Sequence, residues 1–199
     1  MKVGMFLLGM AVVVTMAQVT QTPGGVYTPA WDDLVSPAGA INPLGADGQM
    51  TEITDAADYI GCLQADAVGE TAVIQWQLSH STRDNTDMHP HIHFLKNDVS
   101  DNTGTVLFEA KFRHCPLTGA CGAWTAFSAG TPELVAGDTA GAQGLVEWIL
   151  ADSTYNFGIS DVILMQVKRT GGTSGSVAVC TADLHFQKDT LGSRTEYAR

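Results

Sequence analysis

Basic residues are scarce in this chain: 10 Lys and Arg stand against 21 Asp and Glu among 199 residues, a formal net charge of -11. Such a surface repels phosphate backbones and anionic lipid, and no basic stripe or phosphate-cradling glycine loop offsets it. Nucleic acid and membrane are therefore excluded as partners. Charged residues of either sign make up only 16%, too few for the solvated faces of a helical bundle. No stretch carries a sustained 3.6-residue apolar pattern with caps, and no internal repeat appears. There is no Gly-x-Ser-x-Gly elbow for a nucleophilic serine. The four cysteines, at 62, 115, 121 and 180, lack the CxxC spacing of a zinc ribbon.

What is abundant is glycine, 21 residues, together with short alternating runs. Thr71–Ser79 places Ala72, Ile74, Trp76 and Leu78 on one face and Val73, Gln75 and Gln77 on the other. Thr105–Arg113 alternates in the same way, with Val106, Phe108, Ala110 and Phe112 opposing Leu107, Glu109, Lys111 and Arg113. Period two is the signature of strands with one buried face. Further strands are expected at 88–96, 124–128, 144–150, 159–169 and 176–188. Asn102-Thr103-Gly104 suggests that 88–96 and 105–113 pair as a hairpin. About eight or nine such strands predict an all-β fold, a two-layer antiparallel β-sandwich of jelly-roll type.

The expected organisation is an apolar leader at 1–18, an extended arm at 19–48 and the sandwich at 49–199. In the leader, Lys2 precedes an apolar run, Val3–Val14, followed by Thr15-Met16-Ala17. It reads as a secretion signal, a segment packed in an assembly, or an extension upstream of a start at Met16; it is too short to span a bilayer as a helix. The arm is rich in Pro, Gly, Thr and Ala and is anchored by Trp31 and Leu34. Asp32-Asp33 is read as capping a turn after Trp31. Trp148 is assigned to the core.

Cys115 and Cys121 flank a loop whose Pro116 and Gly119 can supply a turn. A disulfide closes it if the Cα atoms come within about 6 Å, in an oxidising compartment; the alternative is two free thiols. Cys62 and Cys180 sit in apolar runs and are expected as buried small hydrophobes.

The most distinctive segment is His89-Pro90-His91-Ile92-His93-Phe94. On a strand the three imidazoles share one face, and Pro90, Ile92 and Phe94 the other. Together with His185 on a later strand they form a candidate site for a divalent metal such as zinc, copper, nickel or iron; apart from that, no cofactor is expected. Alternate positions lie about 7 Å apart and three span roughly 13 Å, so at most two of the three histidines reach one ion. In a trimer, a threefold axis would let each chain give one imidazole. The alternative is a polar sheet face on which histidines stack or bond carboxylates such as Asp87 and Asp183. Set against a cupin-type enzyme, His91-Ile92-His93 followed by Asp98 and Gly104 falls near that spacing. The customary glutamate, upstream glycine and second motif are missing. A carbohydrate-binding sandwich would instead need exposed aromatics in line, with Trp124, Trp148 and Tyr155 as candidates.

Three segments together carry a resemblance. Trp31-Asp32-Asp33-Leu34, Asp87–Phe94 and Asp183–Tyr197 with its Asp189-Thr190-Leu191-Gly192-Ser193-Arg194 core resemble, in order, uncharacterised virion structural proteins of tailed bacteriophages. The likeness runs from about residue 27 to the C-terminus; the apolar leader and the cysteine loop depart from it. The resemblance implies a non-enzymatic virion component, a head decoration or a tail-associated protein, located in the virion and partnered by other virion proteins. A homo-oligomer, such as a trimer, is expected, assembled through Trp31, Leu34, Arg194 and Tyr197. A secreted protein is the alternative location, either a cupin-like metal-dependent enzyme or the carbohydrate-binding sandwich.

Overall fold

A computed structural model describes residues 30–37, 42–43, 51–52, 62–96, 107–134, 142–172 and 177–188. The leader, Asp98, Gly104, Arg194 and Tyr197 lie outside them. The described residues form two antiparallel sheets packed face to face, a β-sandwich.

The larger sheet contains β1 (Ala30–Pro37), β3 (Thr51–Glu52), β4 (Leu63–Ala65), β6 (His89–Lys96), β9 (Thr131–Leu134), β10 (Gln143–Glu147) and β12 (Val177–Lys188). Its order is β3-β4-β12-β6-β10-β9, with β1 continuing the β4 side of β12. The smaller sheet runs β2-β5-β11-β7-β8, from β2 (Asn42–Pro43), β5 (Thr71–Gln77), β7 (Leu107–Cys115), β8 (Ser128–Ala129) and β11 (Val162–Gly171). Successive long strands switch sheets: β5, β7 and β11 belong to the smaller, β6, β10 and β12 to the larger. The single helical turn α1 (Asp152–Tyr155) precedes β11. Strands exceed the eight or nine expected because several edge pieces are only two residues long.

Alternation supplies the core. Ile92, Phe94, Val146, Leu184 and Phe186 from the larger sheet meet Ile74, Trp76, Phe108, Phe112, Ile163 and Met165 from the smaller. Phe94 and Phe108 face each other across the layers at 5.5 Å between centroids, and Trp148 packs against Phe112 at 6.3 Å. Burial of this apolar set contributes roughly 25 cal/mol per Å² removed from water. Trp148 lies in the core, as its position suggested.

Four expectations change. The predicted hairpin of β6 with β7 does not form. β6 is flanked by β12 and β10, and β7 by β11 and β8. Each has both edges occupied, and their large side chains meet across the core rather than side by side. Residues 124–127 are not a strand; pairing begins at Ser128. Asp32 and Asp33 cap no turn, because they lie mid-strand in β1, paired with Phe186 and His185. The arm segment 30–37 is extended, as expected, and lies along β12 in full register.

Cys62 and Cys180 are not free hydrophobes but form a disulfide. Leu63 pairs with Val179, so the antiparallel register carries Cys62 to the position opposite Cys180. Cys115 is bonded to Cys121 across its loop. That loop is held from within: buried Asp161 accepts the Leu117 amide at 2.7 Å and the His114 ring nitrogen at 2.8 Å.

Candidate functional site

The outer face of the larger sheet is built by register. His93 pairs with Thr181, His91 with Asp183 and His89 with His185; His91 also pairs with Glu147 on the other side, and His185 with Asp33. With Ile92, Leu184 and Val146 turned inward, their neighbours must turn outward. Four imidazoles and three carboxylates from four strands therefore share one surface.

Their contacts sort them. His89 Nδ1 meets Glu147 at 3.2 Å, and its ring packs against Trp31 in a T-shaped arrangement at 5.1 Å between centroids. His185 Nε2 meets Asp33 at 2.9 Å. His91 and His93 converge on one carboxylate oxygen: Asp183 Oδ2 lies 3.2 Å from His91 Nε2 and 2.9 Å from His93 Nε2. The two ring nitrogens are themselves 3.1 Å apart. His91 is only 2% exposed, covered by His93 and by His185, whose ring centroid is 4.1 Å away. The Gln143 side-chain amide contacts His93 Nδ1 at 2.8 Å.

Electrostatics follow this sorting. Burial alone would raise the Asp183 carboxyl, but its bonds to His91 and His93 outweigh that and hold it far below the ordinary carboxylate range. Burial, then the neighbouring His91, pushes His185 below the ordinary histidine value, against the pull of Asp33, Asp183 and Glu147.

Of the histidines singled out from the sequence, His91 and His93 are brought together on Asp183. His89 is held apart by Glu147, and His185 stands beside His91 while bonded to Asp33. His91, Glu147 and His185 make a second, looser cluster of donor atoms within 4.8 Å of one another. Asp87 bonds no histidine; it accepts the Asp152 amide at 2.9 Å. Glu147 and Asp33 were not anticipated, since only strand register brings them to the histidines; alternation along 143–147 could at most have put Glu147 on an outer face. Leu34 packs against the core, whereas Trp31 is 53% and Val35 60% exposed.

The aromatics considered for sugar stacking are engaged elsewhere. Trp148 is buried, Tyr155 stacks on Phe157, and Lys111 lies over Trp124 at 5.2 Å.

No protein-family model matches the sequence, and no curated protein does. Among solved structures, a xylan-binding module CBM15 is similar at 11% identity and a TM-score of 0.43, covering 82% of this chain and 100% of that one. The CBM36-1 domain of a multidomain xylanase from the hindgut metagenome of Trinervitermes trinervoides is 9% identical, with a TM-score of 0.40, over 77% of this chain and 96% of that domain. A structure of infectious bursal disease virus Gx strain is 12% identical, with a TM-score of 0.36, over 81% of this chain and 33% of that one.

Proposed function

We propose that this chain is a non-enzymatic structural protein of a tailed-bacteriophage virion, a head decoration or tail-associated component that assembles with copies of itself. One observation carries the reading. The described parts of the three segments behind the phage resemblance, at 31–34, 87–94 and 183–188, are far apart in sequence. They lie on the adjacent strands β1, β12 and β6, and their outward side chains pool into the histidine–carboxylate face. The segments thus supply both this shared outer surface and, through Leu34, Ile92, Phe94, Leu184 and Phe186, part of the core beneath it. The exposed Trp31 and Val35 on edge strand β1 supply apolar area for a neighbouring copy. Two disulfides suit a protein that persists outside a reducing cytosol.

Mass spectrometry of purified particles of the encoding phage tests this, with the chain expected in stoichiometric copy number. Light scattering of the purified chain is expected to show an oligomer that Trp31→Asp with Val35→Asp converts to monomer. Absence of the chain from purified particles overturns the reading.

A second reading is a secreted carbohydrate-binding module, the kind of protein named in two of the solved structures. The feature of this chain that favours it is Trp31, an exposed ring at the margin of the polar face. Pull-down on insoluble xylan and cellulose, abolished by Trp31→Ala, would establish it in place of the first.

A further inference from the structure

We infer that His91, His93 and Asp183 form a mononuclear site for a divalent transition-metal ion of the zinc class. The inference stands independently of the virion reading, because it rests on the donor triangle alone. His91 Nε2, His93 Nε2 and Asp183 Oδ2 are separated by 3.1, 3.2 and 2.9 Å. A cation held at about 2.1 Å by nitrogen and oxygen donors spaces neighbouring ligands roughly 3.0–3.4 Å apart, depending on coordination number. The triangle already has that size.

Protons alone do not satisfy the arrangement. If both ring nitrogens carry hydrogen, both donate to Asp183 and their N–H groups face each other. If one is bare, its lone pair faces either the other ring's nitrogen or the carboxylate oxygen across a short contact. Every placement with neutral rings leaves one edge of the triangle repulsive. A cation in contact with three lone pairs removes that conflict.

Two further features bear on the site. His91 Nδ1 and Asp183 Oδ1 are buried without a hydrogen-bond partner, and His91 is among the most deeply buried side chains. Bidentate binding by Asp183 would satisfy Oδ1, whereas an ion on Nε2 leaves His91 Nδ1 as it is. Gln143 sits on the far nitrogen of His93. As placed, Gln143 Nε2 donates to Nδ1; metal at Nε2 puts the proton on Nδ1, and a half-turn of the amide brings Oε1 round to accept it, as outer partners of metal-bound histidines do. The second cluster is the poorer candidate, because Glu147 and His185 are already committed to His89 and Asp33. The His93 side chain, 24% exposed, gives an ion access from solvent. Two neutral imidazoles and one carboxylate suit Zn²⁺ or Co²⁺ and leave at least one position open for water.

The test is calorimetric titration of chelator-stripped, full-length protein with Zn²⁺, paired with visible absorption after loading with Co²⁺. One ion per chain is expected, with Co²⁺ bands of a nitrogen–oxygen site and an unfolding midpoint that rises with free Zn²⁺. His93→Ala and Asp183→Asn should each weaken binding by at least about 100-fold, beyond the range for outer partners, with circular dichroism reporting that the strands persist. His89→Ala should leave stoichiometry unchanged and affinity within about threefold. The inference is overturned if folded wild-type protein takes up no stoichiometric Zn²⁺ or Co²⁺, or if uptake survives in His93→Ala. It is equally overturned if uptake is lost in His185→Ala but retained in Asp183→Asn, which would place the ion in the second cluster.

Discussion

On the outer face of the smaller sheet, Lys168 Nζ lies 4.1 Å from the Phe127 ring centroid and 3.2 Å from Glu109, with the side chain partly exposed. On the outer face of the larger sheet, His91 occupies an equivalent outward position and is almost wholly covered. Both faces obey the same alternation, so side-chain length makes the difference. A lysine lays its stem on an aromatic ring and still reaches solvent. An imidazole is short, and when flanked by two others and by carboxylates it is buried by its own neighbours. One face is therefore solvated and tolerant, the other desolvated and demanding of specific partners.

The largest expected effect contrasts the bridges, one per sheet. Cys62–Cys180 ties β12 to the β4 end of the larger sheet across a sequence separation of 118, and Cys115–Cys121 closes a separation of 6. Chain-entropy scaling gives about 5 kcal/mol for the first and about 2 for the second, both upper values because native strain and residual structure intervene. Urea unfolding of Cys62→Ala/Cys180→Ala against Cys115→Ala/Cys121→Ala should show the first losing roughly twice as much. Equal losses would mean that the bridges act through native contacts and not through the unfolded chain.

Next comes a second histidine–aspartate pair, on the smaller sheet. Asp161 is fully buried and accepts from the Leu117 and Gly158 amides and from His114. Burial opposes its charge, yet the Leu117 amide, the His114 ring and the Gly158 amide together hold its carboxyl below the ordinary range. Stability from a depressed carboxylate is complete above its unfolded value of about 3.9 and is lost as pH falls through the lower folded value. Asp161→Asn should cost about 2–3 kcal/mol at neutral pH and flatten that part of the acid limb in pH-dependent unfolding. An unchanged acid limb would break the parallel with Asp183.

A smaller effect is expected at Gly144, which faces inward from β10 opposite Phe94. A Cβ there would lie 2.2 Å from Phe94 Cζ, so Gly144→Ala must displace a core ring, at about 1–3 kcal/mol. Gly122, just after the smaller sheet's disulfide loop, has only the His114 carbonyl oxygen at 3.6 Å from such an atom. Gly122→Ala should stay within about 0.5 kcal/mol in the same thermal melt.

These contrasts also mark what the sequence makes legible. Period two located β5, β6 and β7, because a one-residue slip would turn Ile92 or Phe112 to solvent. It put His89, His91 and His93 on one face for the same reason. Sheet membership was not legible. Alternation shows which way a side chain points but not which strand lies alongside, so β6 and β7 read as a hairpin although each has two other neighbours. The Cys62–Cys180 bond and the approach of Glu147 and Asp33 to the histidines depend on that same pairing between distant segments. The pair His91 and His93 followed from strand geometry, and Asp183 was among the carboxylates expected to bond histidines on a polar face; that both rings converge on one of its oxygens required the β6–β12 register.

The smallest expected effect is at Lys168, and it tests whether the solvated face owes its tolerance to the lysine stem or to its charge. Lys168→Met keeps an apolar stem over Phe127 and removes the pair with Glu109, whose members are 28% and 34% exposed. Exposed ion pairs contribute about 0–1 kcal/mol, so the urea midpoint should shift little, and raising salt should shrink the difference further. Lys168→Ala also uncovers the Phe127 ring and should cost more than Lys168→Met. If the methionine variant loses as much as the alanine variant, charge holds this face together, and the contrast with the buried imidazoles is one of degree rather than of kind.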